Sequence, residues 1–311
     1  MNIKQLEAFT LVVELGSFTR AAKLMFMTQP AISFQIKALE EQLGLQLLER
    51  AERSVFLTEA GKLVYTEAKK ILASNRSILD YVAQLRGLNK GTLILGASTI
   101  PGEYLLPQFL GEFKQMHPEI KLKLEIGSTQ RITELVLARE VNLAVVGAAK
   151  LHPYLEYQPL FTDEVVVIVG TNHPLAEQKS INIAQLTAQQ LIFREKGSGT
   201  RIVLEERLGQ AGFASEELNI VLELGSTRAI ITAVQGNLGV GMVSGMAVSE
   251  ALELGTVHQL KVTGLDLHRP LFMVCNQSSL TTPLQAAFCD FLRGKSKKYI
   301  QNNLLMLKCI Q

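Results

Sequence analysis

The hydrophobic pattern of this 311-residue chain changes period near residue 90. Before that point apolar residues recur every three or four positions, the spacing of helix faces. From Thr92 short β-rich runs such as "TLILGA", "KLKLEIG" and "LAVVGA" alternate with helical stretches, the plan of an α/β body with parallel strands. The chain therefore has to fold as a helical head followed by a larger α/β domain.

Within the head, Leu6, Phe9 and Val13 form a helical stripe closed by Gly16, a residue suited to a left-handed C-cap. Ser17 caps a second, short helix whose Phe18, Ala21, Ala22 and Met25 offer a narrow packing face. Thr28 caps a third, and Pro30 falls in its first turn, where a missing N–H costs nothing. On that third helix Ile32, Ile36, Leu39 and Leu43 make one stripe, while Pro30, Ser33, Phe34 and Lys37 cluster on another side and Gln29 sits at the exposed N-terminal edge. One face can anchor the helix and the other can meet a partner. Gln and Ser read base edges by hydrogen bonding, and Lys suits phosphates. "LLERAERSVFLTEAG" then reads as a short hairpin carrying Arg50 and Arg53 toward a phosphate backbone. Residues 1–58 hold six basic and six acidic side chains, so DNA affinity has to come from placement rather than bulk charge.

"SFTRAAKLMFMTQPAISFQIKALEEQLGLQLLER" followed by "LTEAG" resembles, without gaps, the winged helix-turn-helix of the LysR-type transcriptional regulators. The resemblance implies DNA contacts at Gln29, Pro30, Ser33, Lys37, Arg50 and Arg53. Phe34 stands where many members carry Arg.

After Thr58, a helix cap, no Pro or mid-helix Gly interrupts Lys62 to Arg86. Val64, Ile71, Ile78 and Leu85 repeat every seven residues, with Ala68, Asn75 and Val82 in an offset row. A seam of this kind calls for a second helix, and pairing through it would set two recognition helices for successive major grooves. The resemblance implies the same homodimer, with dimers often joining as tetramers. "GLNKG", residues 87–91, ends the helix as a hinge.

The α/β body repeats one local arrangement, a strand running into Ser or Thr at a helix start. It occurs at Ser98 and Thr99, at Ser128 and Thr129, at Ser198, Thr200 and Arg201, and at Ser226 with Thr227. Each hydroxyl alone can be a helix cap. Four at matching places point to a cleft, because helix N-termini attract anions and ligands of open α/β sheets lie at the carboxyl ends of strands. Arg201 is the expected carboxylate or oxoanion partner. The resemblance implies a two-lobed, periplasmic-binding-protein-like effector domain with its site at these residues.

The expected organisation is a winged helix-turn-helix over 1–58, a dimerisation helix and hinge over 59–90, an effector domain over 91–295 and a basic tail over 296–311. Lobe I takes 91–163 and 267–295, and lobe II takes 164–266. The tail is a solvated extension or a helix at an oligomer interface, and Cys309 is its exposed thiol.

Other chemistries lack their residues. Three cysteines, none in CxxC spacing, support neither a disulfide framework nor zinc. The five histidines are dispersed. "GNLGVG" at 236–241 follows a helix and precedes a strand, the reverse of a dinucleotide fingerprint. No phosphate-binding Gly-Lys-Ser/Thr or GxSxG elbow occurs, and no acid/base pair stands out. Neither an enzyme nor a cofactor or metal protein is expected. "MNIKQLEAF" has no signal pattern and no run of eighteen apolar residues exists, so a cytosolic protein away from membranes is expected. The expected function is a DNA-binding transcription regulator, controlled by a small anionic effector, with promoter DNA, copies of itself and RNA polymerase as candidate partners. The competing class is a small-molecule binding protein or enzyme whose head only dimerises, for which Arg50→Ala with Arg53→Ala would leave DNA binding unchanged.

Overall fold

The computed structural model describes residues 1–51, 54–85, 91–214, 216, 218–279 and 281–308; side chains are not described at 50, 51, 54, 80, 83–85, 298 and 300–308. The chain divides into two compact units, Met1–Leu88 with Ala138–Glu140, and Asn89–Leu137 with Val141–Gln311.

In the first unit α1 (Ile3–Leu15) is closed by Gly16 at φ 59°. It is followed by α2 (Phe18–Leu24), which Ser17 caps, and by α3 (Gln29–Leu43), which Thr28 caps through Ala31 N. Ala21 and Ala22 are small enough to let α2 sit close to its neighbours, and Leu6, Phe9, Val12, Ile32, Ile36 and Leu39 complete one apolar core. The hairpin joins β1 (Leu48–Ala51) and β2 (Ser54–Leu57) in antiparallel register, Arg50 opposite Val55. Glu40 of α3 accepts from both Leu47 N and Leu48 N, which fixes the hairpin to α3. Helix α4 (Glu59–Leu85) starts where the Thr58 hydroxyl accepts from Gly61 N. Of its seven-residue rows, Ala68 is buried in the core, whereas Ile71, Ile78 and Val82 are exposed. The Leu85 side chain and hinge residues 87–90 lie outside the described residues.

The second unit is a mixed sheet in the order β4-β3-β5-β12-β6-β10-β8-β9, with β11 beside β6 and β7 beside β11. β3 (Thr92–Ser98), β4 (Lys121–Gly127) and β5 (Leu143–Val146) are parallel and form lobe I. β8 (Leu191–Arg194), β9 (Ile220–Leu224) and β10 (Val240–Ser244) are parallel and form lobe II with β7 (Ser180–Asn182) and β11 (Val257–Thr263). The expectation of parallel strands therefore holds within these two groups and fails at the long strands β6 (Leu155–Gly170) and β12 (His268–Asn276): β12 is antiparallel to β5, and β10 and β11 are antiparallel to β6. β6 carries the chain out of lobe I and β12 brings it back, so the two must run antiparallel, with paired residues from Leu155/Asn276 to Glu164/His268.

Helices cover both faces of each lobe. A π-helical turn (Pro101–Leu105) leads into α5 (Leu106–Met116), which with α11 (Pro283–Lys308) lies on one side of lobe I, and α6 (Thr129–Leu137) lies on the other. In lobe II, α7 (Ile183–Thr187) and α8 (Gly199–Gln210) share one core, while α9 (Thr227–Gln235) and α10 (Gly245–Glu253) share the second. Val165, Val167 and Val169 of β6 enter the first and Val166 and Ile168 the second, which is why "EVVVIVG" is apolar without alternation. α11 runs unbroken through the expected start of the tail at 296. Ser296 donates to Leu160 O and the Tyr299 ring meets Phe161 edge-on at 5.5 Å. Cys309 lies outside the described residues.

Candidate functional site

Two places carry functional chemistry, one in each unit. On α3, Gln29, Pro30, Phe34 and Lys37 are exposed and Ser33 is half-buried, while Ile32, Ile36 and Leu39 on the other side are fully covered. Lys37 pairs with Glu41 at 3.6 Å, both largely in solvent. Such a pair contributes only about 0.3–0.5 kcal/mol, so it does little to hold Lys37 in place. Arg50 has its backbone in β1 with its side chain not described, and Arg53 lies outside the described residues.

In the second unit a cavity of about 220 Å³ is lined by Ser98, Thr99, Ile100, Ser128, Thr129, Gly147, Arg194, Ser198, Gly199, Thr200 and Arg269. That volume includes open solvent at the mouth, so the enclosed space is smaller still. Lobe I supplies the ends of β3 and β4 and the start of α6, and lobe II supplies the end of β8 and the start of α8.

The lobes touch here. Gln130 N donates to Gly197 O at 3.2 Å, and Arg194 reaches Thr99 Oγ1 at 3.4 Å. Gly199 permits the approach, since a Cβ there would stand 2.6 Å from Thr129 Oγ1 and 3.0 Å from the Gly147 carbonyl carbon.

Every side-chain nitrogen of buried Arg194 has an acceptor: Nε and Nη2 donate to Glu195, Nη1 to Thr227 Oγ1 at 2.7 Å, and Nη2 also to Gly225 O. Arg269, 2 % exposed, donates from Nε and Nη2 to Asp163 Oδ2 at 2.9 and 2.7 Å, and Asp163 Oδ1 accepts from Ser244 at 2.7 Å. Its remaining Nη1 is buried with no partner, and so is Thr129 Oγ1. A buried polar atom left unsatisfied costs about 1–3 kcal/mol. Two of them stand on this one small cavity.

Of the residues expected at the cleft, Ser98, Thr99, Ser128, Thr129, Ser198 and Thr200 line this cavity. Ser98 accepts from Gly147 N and Ser128 from Arg131 N, and each keeps a hydroxyl hydrogen to donate. Arg201, Ser226 and Thr227 are elsewhere. Arg201 is one residue past Thr200, a turn of about 100° around α8, and points away from the cavity lining. There it bonds Glu205 and Glu223, donates to Arg194 O at 3.0 Å and lies over Phe193. Burial alone would lower its pKa, but the two carboxylates outweigh that and raise it. The expectation that Arg201 is the anion partner is thus corrected. Thr227 stands behind Arg194, and Ser226 is exposed without capping α9.

The cavity arginines were missed. Each is a lone cation inside an apolar strand run, "QLIFRE" and "LHRPLFMV", a signal worth following because a buried charge needs a partner.

Both parts of the chain match known families. Residues 3–62 match the model described as bacterial regulatory helix-turn-helix protein, lysR family, and residues 86–297 match the LysR substrate binding domain. A probable RuBisCO transcriptional regulator from Cyanidioschyzon merolae is 35% identical over 292 residues, 93% of this chain and 96% of that one. The HTH-type transcriptional activator CmpR of Synechocystis is 35% identical over 296 residues, 94% of each. The regulatory domain of Synechocystis CcmR, solved in complex with 2-PG, is 28% identical with a TM-score of 0.61, covering 67% of this chain and 98% of that one.

Proposed function

The chain belongs to the LysR family of transcriptional regulators, and we propose that its effector is a small anion held by Thr129 Oγ1 and Arg269 Nη1 between the two lobes. That it is a DNA-binding regulator with an effector-binding domain, and not an enzyme, follows from the family. What supports an anion is a single observation: the two buried side-chain atoms that face this cavity without partners include a guanidinium N–H and a hydroxyl, both able to donate. Hydroxyls of Ser98, Ser128, Ser198 and Thr200 surround them, and the start of α8, which no side chain caps, favours negative charge. The complex of CcmR with 2-PG makes that compound the first to try.

Gln29, Pro30, Ser33 and Lys37 face the DNA, with Arg50 and Arg53 on the wing, in a cytosolic homodimer or homotetramer that can engage RNA polymerase. Effector shifts the equilibrium between lobe arrangements only to the extent that it binds one better.

Thermal unfolding of the whole protein with 2-PG, inorganic phosphate and short dicarboxylates tests the site. A saturable rise in Tm is expected for at least one anion, about tenfold weaker in Thr129→Val, from loss of one charge-assisted hydrogen bond. Equal affinity in wild type and Thr129→Val would contradict the placement.

A further inference from the structure

On α3, Phe34 is 68% exposed. At roughly 100° per residue it lies about 160° around the helix from both Ile32 and Ile36, which are buried in the core. Phe34 therefore points directly outward, with Pro30 one turn before it and Lys37 nearly one turn after. An aromatic ring at the centre of this face neither packs on the protein nor bonds a phosphate.

We propose that Phe34 is a specificity-determining residue that contacts the C5-methyl of a thymine in the major groove. The inference rests on α3 being the recognition helix. The groove offers one projecting apolar group, the thymine methyl; guanine and adenine present N7 with O6 or N6–H2, and cytosine has only a C5–H beside its N4 amino group. A phenyl ring against those would strip them of water and return no hydrogen bond, which disfavours them. Against the methyl it buries carbon on carbon. Phe34 thus selects thymine both by contact and by exclusion, while Lys37, flanking it, supplies affinity common to all sequences.

The test uses the full chain and a duplex recovered by repeated selection from random-sequence DNA. Each thymine is replaced in turn by uracil, which removes only the methyl. Wild-type protein should lose roughly fourfold affinity at one thymine per half-site, the effect of one buried carbon. Phe34→Ala should bind thymine and uracil duplexes equally at that position, with an unchanged salt dependence, and Phe34→Leu should keep part of the preference. Lys37→Ala should keep the thymine-to-uracil ratio and show a shallower salt dependence. If a duplex is recovered but uracil is neutral everywhere, or Phe34→Ala retains the ratio, the assignment of Phe34 is overturned while α3 remains the reader. If selection enriches no sequence, the recognition-helix reading falls and this inference with it.

Discussion

Thr129 exposes a conflict between folding and binding at a single atom. Its hydroxyl is buried without a partner, so Thr129→Val should stabilise the ligand-free protein by about 1 kcal/mol while weakening the anion. Calorimetric unfolding without ligand checks the first half; a drop in Tm would mean that the hydroxyl has a partner in the free state. Asp163 is the opposite case. Removing it leaves Arg269 charged and unpaired in the interior, and Asp163→Ala should cost about 3–5 kcal/mol, read from denaturant midpoints. The hydroxyls of this site are visible in sequence because each sits where a strand meets a helix, a local pattern. The arginines are not, because Arg194 and Arg269 arrive on strands far apart in the chain, and only the pairing of β6 with β12 brings Asp163 to Arg269.

At the level of elements, the head could be read almost completely. Gly16, Ser17, Thr28 and Pro30 each specify a helix end by local chemistry, and nothing distant has to be known. Lobe II is less transparent: α8 starts where expected, yet its rotation puts Arg201 between Glu205 and Glu223, which no single-element pattern reveals. The hydrogen bond from Arg201 is the main cause holding the Glu223 carboxyl below its ordinary range. A carboxyl with a lowered native pKa adds stability above its unfolded value and loses it as pH falls through the native one. Acid unfolding below about pH 4 should therefore be shallower in Glu223→Gln than in wild type, and identical slopes would remove this pair from the acid response. On α4 the exposed Ile78 and Val82 continue the seven-residue pattern onto solvent. Ile78→Asp should lower the oligomeric state in sedimentation equilibrium; an unchanged mass would place the interface elsewhere.

On the proposed reading the whole molecule carries two sites in one chain, a helix face for DNA and a cavity for a small anion. Their coupling is the claim that makes the protein a switch, and coupling is reciprocal in free energy. The most direct measurement is the affinity of the full chain for its selected operator across a titration of the anion that raises its Tm, in wild type and in Thr129→Val. The account predicts a saturable change in operator affinity in the wild type, displaced to about tenfold higher anion concentration in Thr129→Val, with equal operator affinity for the two proteins when no anion is present. Operator affinity that stays constant through the titration, or that changes at the same anion concentration in both proteins, would contradict it.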